Sequence, residues 1–348
     1  MNGDGTGQDE TDGEEPAALH PADRPAGEDG PAGEDGPAGE GTRCGLVALL
    51  GAPNAGKSTL MNRIVGSKVS IVSPKVQTTR TRMIGIAVAG PAQIVFVDTP
   101  GIFRPKRRLD QAMVRAAWGG ARDADLALLL VDAAGGVTEE VRHIARRLKE
   151  RGARVVAVLN KVDKVRREGL LALSAAVNEL LPCERTFMIS ALDGSGVADL
   201  TAWLAQALPA GPWLYPGDQV SDVTERVLAA EITREKLFLR LHEELPYAST
   251  VETESWTEQP DGSLRIEQVV FVARESHRPI VLGKGGRTIR AIGSAARLEL
   301  EELFDTKVHL FLFVKVRGNW EDDPERYNAM GLEFPKTRGS RPGRGRGS

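Results

Sequence analysis

A glycine-rich loop between an apolar strand and a helix constrains this chain more than any other feature. The run CGLVALL, Cys44 to Leu50, is followed by GAPNAGKST, Gly51 to Thr59, and then by LMNRIVG. This is the strand, loop and helix context in which G-x-x-x-x-G-K-[ST] binds phosphates. Gly51 and Gly56 let successive backbone N–H groups point at phosphate oxygens, and the positive end of the helix strengthens the field. The sequence predicts a P-loop α/β domain.

Two side chains of this loop carry the predicted chemistry. Lys57 is expected to reach the β and γ phosphates of a nucleotide, and the Ser58 hydroxyl is expected to ligate Mg²⁺. The other predicted phosphate contacts are Gly51, Ala52, Pro53, Asn54, Ala55, Gly56 and Thr59.

The base is predicted from a second buried run, VVAVL, which ends in NKVD. The Asp163 carboxylate can accept hydrogen bonds from N1–H and the 2-amino group of guanine, and adenine has neither group. A site built around such a carboxylate rejects adenine strongly, because the carboxylate would be left unpaired. The motif therefore predicts GTP rather than ATP. The predicted base contacts are Asn160, Lys161, Val162 and Asp163, with Ser190, Ala191 and Leu192 from the SAL that follows the next strand.

Two loops between these motifs predict a switch. IVFVDTPG places Asp98 after an apolar strand, near Mg²⁺ through a water, and places Gly101 where its N–H can detect the γ phosphate. VQTTRTR supplies a Thr pair, one hydroxyl of which can complete the Mg²⁺ shell. Loops held by a γ phosphate and released on hydrolysis form a switch. The DTPG loop is expected to contact nucleotide through Asp98, Thr99, Pro100, Gly101 and Ile102.

Ile102 occupies the position at which Ras-like GTPases carry a water-orienting Gln. An apolar side chain cannot orient the attacking water. Asn54 offers an alternative, since in some GTPases with a hydrophobic residue at that position this Asn holds K⁺. We expect slow intrinsic hydrolysis that K⁺ or a partner stimulates.

A second domain follows LPAGPWLYPGDQ, whose three Pro and two Gly predict a linker. The next segment has helical periodicity, with one side expected to comprise Val223, Val227, Leu228, Ile232 and Leu237. The patterns then predict the order α-β-β-α-α-β, in which GKGG links two helices. This is the type II KH arrangement, whose glycine loop clamps about four single-stranded nucleotides. The predicted RNA contacts are Gly283, Lys284, Gly285, Gly286, Arg287 and Arg290.

The ends of the chain differ from its body. Residues 1–42 contain twelve Asp or Glu against one basic residue, Arg24, and they repeat PAGEDG. Their net charge of −11 leaves +8 on residues 43–348. Such a composition predicts disorder, and we hypothesise that the segment competes with RNA for the basic KH face. The Arg/Gly tail is expected either to be plain solvated disorder or to touch RNA.

The predicted organisation has five parts. They are an acidic extension (1–42), a translation-factor-type P-loop GTPase domain (43–210), a linker (211–220), a type II KH domain (221–333) and a disordered tail (334–348). The acidic N-terminus lacks the apolar region of a secretory signal, and no apolar run is long enough to span a bilayer. We expect a cytoplasmic protein in which Cys44 and Cys183 are buried thiols.

This combination resembles the Era family of bacterial GTPases over about residues 44–333. The residues that carry the likeness are GAPNAGKSTLMN, SPKVQTTRTR, DTPGIF, NKVD, SAL, LPYASTVE, IVLGKGG and VKVRGNWEDD. The resemblance implies Thr79 as the switch ligand of Mg²⁺ beside Ser58 and Asp98. The expected catalytic residues are Asn54, Lys57, Thr79 and Gly101. One departure is Thr81, at a position where the family often has His.

The resemblance also implies what the motifs alone do not. Such proteins bind near the 3′ end of the small-subunit (16S) ribosomal RNA and assist assembly of the small (30S) subunit. Peripheral association with the inner membrane is implied too, and we expect a monomer. Two alternatives stay open at this point. One is a GTPase that serves transfer RNA maturation or messenger binding, and the other is a membrane-linked regulatory GTPase whose KH domain is only structural.

Overall fold

The structure is a computed structural model that describes residues 41–75, 78–80, 82–103, 108–318, 332 and 334, with only the backbone at Arg108. Runs of Val, Ile, Leu and Ala form a six-stranded sheet in the order β2-β3-β1-β4-β5-β6. Only β2 is antiparallel to its neighbour. The strands are β1 (Arg43–Gly51), β2 (Met83–Ala89), β3 (Ala92–Asp98), β4 (Leu126–Asp132), β5 (Val155–Asn160) and β6 (Arg185–Met188).

Helices cover both faces of this sheet, which is why its parallel strands are continuously apolar. One core cluster joins the sheet to α1 and α5, and another joins it to α2, α3 and α4. The carboxyl ends of the parallel strands therefore meet at one edge, where a ligand can bind between the loops. The helices are α1 (Lys57–Val65), α2 (Arg108–Arg122), α3 (Glu139–Glu150), α4 (Arg167–Leu180) and α5 (Val197–Ala207).

The second domain has the predicted order α-β-β-α-α-β. Its sheet is β7-β8-β9, with β7 antiparallel and β9 parallel to β8. The fold class predicted from the sequence, a P-loop α/β domain followed by a type II KH domain, is confirmed. The elements are α6 (Glu225–Arg240), β7 (Ser249–Glu258), β8 (Leu264–Val272), α7 (Arg278–Leu282), α8 (Arg287–Phe304) and β9 (Val308–Val316).

The predicted apolar side of α6 is wrong in two positions and incomplete in others. Val223 precedes the helix, which begins at Glu225, and packs on the core of the first domain. Val227 is 43% exposed, whereas Arg234 and Glu235 are buried. The helix packs against the second sheet on one side and against loop residues of the first domain on another. Polar side chains that reach those loop residues are therefore buried as well.

The predicted linker is bound along its length to the first sheet. Trp213 and Tyr215 are half-buried against an apolar cluster that includes Ile84 and Val95. The Gln93 side chain accepts from the backbone N–H groups of Leu214 and Tyr215, at 2.9 and 3.0 Å. The linker thus covers apolar surface at β2 and β3, which explains aromatic residues in a segment rich in Pro and Gly.

Several predictions fall outside the described residues. They are those for residues 1–40 and 335–348 and the departure from the family pattern at Thr81. Cys44 is buried and Cys183 is half-buried. Among the described helices, none has the length and apolar character that crossing a membrane requires.

Candidate nucleotide-binding and RNA-binding sites

The first loop requires glycine at two positions, because neighbouring backbone and side-chain atoms leave no room for a Cβ atom there. A Cβ atom at Gly51 would lie 2.6 Å from the carbonyl oxygen of Leu130. At Gly56, where φ is +97°, it would lie 2.2 Å from Nδ2 of Asn160. Asn54 also adopts a left-handed conformation, with φ of 62°. The loop therefore turns tightly from β1 into α1, as the sequence predicts for a phosphate cradle.

Lys57 is held inside this loop. Its ammonium group donates to the carbonyl oxygens of Gly51 and Ala52, at 3.3 and 3.2 Å, and the residue is only 7% exposed. Burial lowers the pKa of Lys57 from 10.5 to about 8, and the nearby Asp98 carboxylate opposes that shift. A bound phosphate would supply the negative charge that this buried ammonium lacks.

The predicted metal ligands come together beside Lys57. Ser58 Oγ donates to Asp98 Oδ2 at 2.5 Å and lies 3.1 Å from Thr79 Oγ1. Asp98 is fully buried, and burial raises its pKa against the opposing effect of Lys57. Its Oδ1 has no hydrogen-bond partner among the described residues. Two hydroxyls and a buried carboxylate with one oxygen left without a hydrogen bond suit a hard divalent cation such as Mg²⁺.

Asn160 ties the predicted base loop to the phosphate loop. Its Nδ2 donates to the carbonyl oxygen of Ala55 at 2.8 Å, and its Oδ1 accepts from the N–H of Ala191 at 3.0 Å. Asp163 follows in a short 3₁₀ turn, Val162–Lys164, and is exposed. Asn160 thus positions its neighbours, while the carboxylate expected to face guanine is free to meet a ligand.

The DTPG loop packs directly on the phosphate loop. Thr99 Oγ1 donates to the carbonyl oxygen of Leu49 at 2.8 Å, and a Cβ atom at Gly101 would lie 2.9 Å from Cα of Pro53. The Ile102 side chain is 1% exposed and packs in the core between the sheet and α2. It cannot orient a water molecule, in agreement with the sequence analysis.

A pocket of about 450 Å³ joins these loops. Of the predicted site residues, it is lined by Pro53, Asn54, Gly56, Lys57, Ser58, Thr59, Thr79, Gly101, Lys161 and Leu192. The other predicted nucleotide-binding residues do not line it: Gly51, Ala52, Ala55, Asp98, Thr99, Pro100, Ile102, Asn160, Val162, Asp163, Ser190 and Ala191. Several of these, including Asp98 and Asn160, are buried behind the lining residues that they hold in place.

The second glycine loop lies between α7 and α8. A Cβ atom at Gly283 would lie 2.2 Å from Oγ1 of Thr288, whereas Gly285 and Gly286 adopt positive φ in open space. The predicted cations Lys284, Arg287 and Arg290 are exposed, and none of them forms an ion pair with a described carboxylate. The loop therefore presents free positive charge beside a backbone that another chain can approach closely.

Comparison with known proteins decides the family. Residues 46–161 match a family model described as a 50S ribosome-binding GTPase, and residues 244–321 match the KH domain. GTPase Era of Mesorhizobium japonicum is 65% identical over 294 residues, which cover 84% of this chain and 95% of the relative. GTPase Era of Brucella suis is 64% identical over 84% of this chain and 94% of that protein. The chain belongs to the Era family of GTPases.

Solved Era structures agree with this assignment. A single-substitution variant of Aquifex aeolicus Era bound to GDP·AlF₄⁻ has a TM-score of 0.80 and 37% identity, covering 83% of this chain and 99% of that one. Era in complex with MgGDPNP and nucleotides 1506–1542 of 16S ribosomal RNA gives the same figures. As an Era-family member the chain is a GTPase with a KH domain.

The structure adds to the Era-family motifs a set of contacts between the KH domain and the switch I segment, defined as Lys68–Arg80 without residues 76 and 77. Arg80 donates to the carbonyl oxygens of Pro246, Tyr247 and Ser249, at 3.1, 3.1 and 2.8 Å. Glu235 accepts from the N–H of Val72 at 2.7 Å. Sequence analysis missed these residues, although charged side chains within an otherwise apolar helix face were a signal for Glu235.

Three further residues that support the candidate nucleotide site were not predicted. Ser70 Oγ donates to Asp98 Oδ2 at 3.0 Å, and Asn62 Oδ1 accepts from the N–H of Ser70 at 3.0 Å. Asp132 forms a 2.7 Å ion pair with Lys161, and this ion pair lowers the pKa of Asp132 against the effect of partial burial. Asp132 ends a buried parallel strand, a position at which sequence analysis could have found it.

Proposed function

We propose that this protein is a small-subunit assembly factor. It would bind and hydrolyse GTP in the P-loop pocket and would use its KH loop to engage single-stranded 16S ribosomal RNA near the 3′ end. Similarity over 83% of this chain to Era in complex with MgGDPNP and nucleotides 1506–1542 of 16S ribosomal RNA carries the proposal. The unpaired cations Lys284, Arg287 and Arg290 support it, because free cations contribute most of the sequence-independent affinity for phosphates.

We assign the nucleotide contacts as the motifs predict them. The P-loop residues Gly51 to Thr59 would hold the phosphates, Asp98 to Ile102 would sense the γ phosphate, and Asn160 to Asp163 with Ser190 to Leu192 would hold guanine. Ser58 and Thr79 would ligate Mg²⁺, and Asp98 would hold it through a water. When bound, the ion would neutralise charge that develops on the phosphates. Asn160 would fix the relative positions of the phosphate and base loops through its two backbone contacts.

Slow hydrolysis follows from the residues around the γ phosphate. Lys57 would stabilise negative charge during phosphoryl transfer, and the Gly101 N–H would contact the γ phosphate. The buried Ile102 leaves water orientation to another group. Asn54 lines the pocket and donates to the carbonyl oxygen of Pro74 at 2.7 Å, which joins the phosphate loop to switch I. We therefore keep Asn54 as the residue through which K⁺ would act.

The proposal includes the organisation inferred from the sequence. The GTPase domain would comprise residues 43–210 and the KH domain residues 221–333. The protein would act in the cytoplasm as a monomer. Peripheral contact with the inner membrane stays a hypothesis that rests on the family resemblance alone.

RNA crosslinking in cells would test the proposal, with wild type and Gly285→Asp side by side and the recovered RNA sequenced. Gly285 has φ of 62° and open space around it, so Asp fits there better than most residues. Gly262→Asp is a matched control, because Gly262 also has positive φ and open space but lies in the β7–β8 turn.

Enrichment of the 16S 3′ end in wild type and in the Gly262→Asp control, lost in Gly285→Asp, is the expected result. GTP affinity should be equal in all three proteins. Recovery of transfer RNA or messenger RNA instead would overturn the ribosomal assignment, and recovery of nothing above the Gly285→Asp background would favour a purely structural KH domain.

A further inference from the structure

Arg63, in the last turn of α1, contacts the SAL loop (residues 190–192) from outside the nucleotide pocket. Its Nε donates to the carbonyl oxygen of Ala191 at 3.3 Å, and its Nη2 donates to the carbonyl oxygen of Leu192. Leu192 lines the nucleotide pocket, whereas Arg63 does not. The helix that begins at the phosphate loop is therefore tied, near its other end, to a loop beside the proposed base site.

This contact fixes the direction of one peptide group. A peptide bond is planar and trans, so the N–H of Leu192 points away from the Ala191 carbonyl oxygen that Arg63 binds. The preceding N–H, that of Ala191, already donates to Asn160 Oδ1 at 3.0 Å. No described residue accepts a hydrogen bond from the N–H of Leu192. The SAL loop therefore presents a free N–H on the side that faces away from Arg63.

Hydrogen bonds within the turn that follows the SAL loop do not hold this peptide group. The N–H of Gly194 donates to the carbonyl oxygen of Ser190 at 2.8 Å, and the N–H of Asp193 donates to Ser190 Oγ at 3.4 Å. Neither bond includes the carbonyl oxygen of Ala191. Arg63 supplies the donor for that oxygen, and hydrogen bonds from a charged donor are stronger than those between neutral groups.

We propose that Arg63 is a positioning residue for guanine recognition, which orients the peptide group between Ala191 and Leu192 so that the Leu192 N–H donates to O6 of the base. This inference deepens the proposed function and rests on its assignment of the SAL loop to guanine. A donor that is oriented beforehand lowers the entropy cost of binding an acceptor. Adenine carries an amino group, a donor, where guanine carries the O6 acceptor. Arg63 therefore contributes to the choice of base without touching the nucleotide.

Nucleotides altered at single positions of the base separate this role from a general loss of affinity. 6-Thioguanosine diphosphate carries sulfur, a weak acceptor, in place of O6. Inosine diphosphate keeps O6 but lacks the 2-amino group that is proposed to meet Asp163. The full chain is tested as wild type, as Arg63→Met and as the matched control Arg146→Met, since Arg146 is also exposed and outside the nucleotide pocket. Competition against fluorescent GDP at fixed Mg²⁺ gives each dissociation constant.

In Arg63→Met, the affinities for GDP and for inosine diphosphate should both fall roughly fivefold, which corresponds to the loss of one hydrogen bond. The affinity for 6-thioguanosine diphosphate should fall by no more than about twofold, because its sulfur gains little from the Leu192 N–H in wild type. Arg146→Met should match wild type for all three nucleotides.

Equal losses for all three nucleotides in Arg63→Met, or an unchanged affinity for GDP, would overturn the role of Arg63 and leave the proposed guanine contacts standing. If wild type itself bound GDP and 6-thioguanosine diphosphate equally well, the assignment of the SAL loop to guanine would fail, and the role of Arg63 would fail with it.

Discussion

Arg234, in the first helix of the KH domain, donates from Nη2 to the carbonyl oxygen of Thr78 at 2.6 Å. Thr78 immediately precedes Thr79, the proposed switch ligand of Mg²⁺. The Arg234 side chain is 1% exposed and is itself held by Glu231, at 2.7 Å from Nε. A guanidinium of the KH domain therefore fixes the backbone next to the proposed metal site of the GTPase domain.

Replacing this guanidinium should weaken both the fold and the metal site. Arg234→Met leaves the Thr78 carbonyl without its donor and Glu231 without its partner. We expect a loss of about 3 kcal/mol in the free energy of unfolding, as for other broken buried ion pairs. We also expect GTP to be released faster in the presence of Mg²⁺. Denaturant unfolding and release of fluorescent GTP measure the two effects. Arg240→Met, on an exposed turn of the same helix, should change neither, and equal losses in both variants would contradict the prediction.

The pKa of Lys57 predicts how nucleotide-free stability depends on pH. Because burial lowers this pKa from 10.5 to about 8, the unfolded chain holds a proton between these values that the folded chain has lost. The free energy of unfolding should therefore rise with pH across this window, by about 2 kcal/mol from pH 7.5 to 9.5. Denaturant unfolding at both pH values should show this rise in wild type but not in Lys57→Met. The same slope in both proteins would disprove the assignment to Lys57.

Ser70 should act as a positioning residue for the metal site. Ser70→Ala removes one of the two side-chain hydrogen bonds to Asp98 Oδ2. Mg²⁺ affinity of the GTP complex should fall roughly tenfold, as for other residues that orient metal ligands. Nucleotide retention titrated with Mg²⁺ measures this affinity. Ser67→Ala in the same loop is the control, and a shift of equal size there would show that the effect is not specific to Asp98.

Potassium should accelerate hydrolysis through Asn54. GTP turnover is measured in matched K⁺ and Na⁺ buffers for wild type and Asn54→Ala. We expect faster turnover in K⁺ for wild type only, with GTP affinity measured separately to allow for lost contacts. Equal wild-type rates in both salts would remove K⁺ from the mechanism and leave a partner as the remaining source of stimulation.

The two glycine loops were predictable because they are local. Each requires glycine at fixed spacing for backbone reasons, and each follows an element that periodicity predicts, so Gly51 and Gly283 could be placed without a structure. Parallel strand order then brings Asp98 and Asn160 to one edge of the sheet. The spatial grouping of the predicted phosphate and base residues was therefore available from the sequence, and their chemical roles stay predictions.

Contacts between the domains were not predictable in the same way. Arg80 follows the Thr pair in sequence, yet its partners are backbone carbonyls more than 160 residues away. No spacing rule connects such groups, since carbonyl oxygens are present at every residue. The burial of Arg234 and the exposure of Val227 in α6 were unpredictable for the same reason. The helix faces the GTPase domain as well as its own sheet, and periodicity accounts for only one buried face.

The bound linker limits how the KH domain can turn. Val220 accepts from the N–H of Ile86 at 2.9 Å, Ser221 Oγ donates to the carbonyl oxygen of Ile84 at 2.6 Å, and Val223 packs on the first core. Helix α6 begins at Glu225, which leaves Thr224 as the single residue between two anchored parts. The KH domain therefore has a pivot one residue long rather than a tether. While the linker stays bound, any rotation of the KH domain would have to use the two backbone dihedrals of Thr224 and would have to break the contacts of Arg80 and Arg234 between the domains.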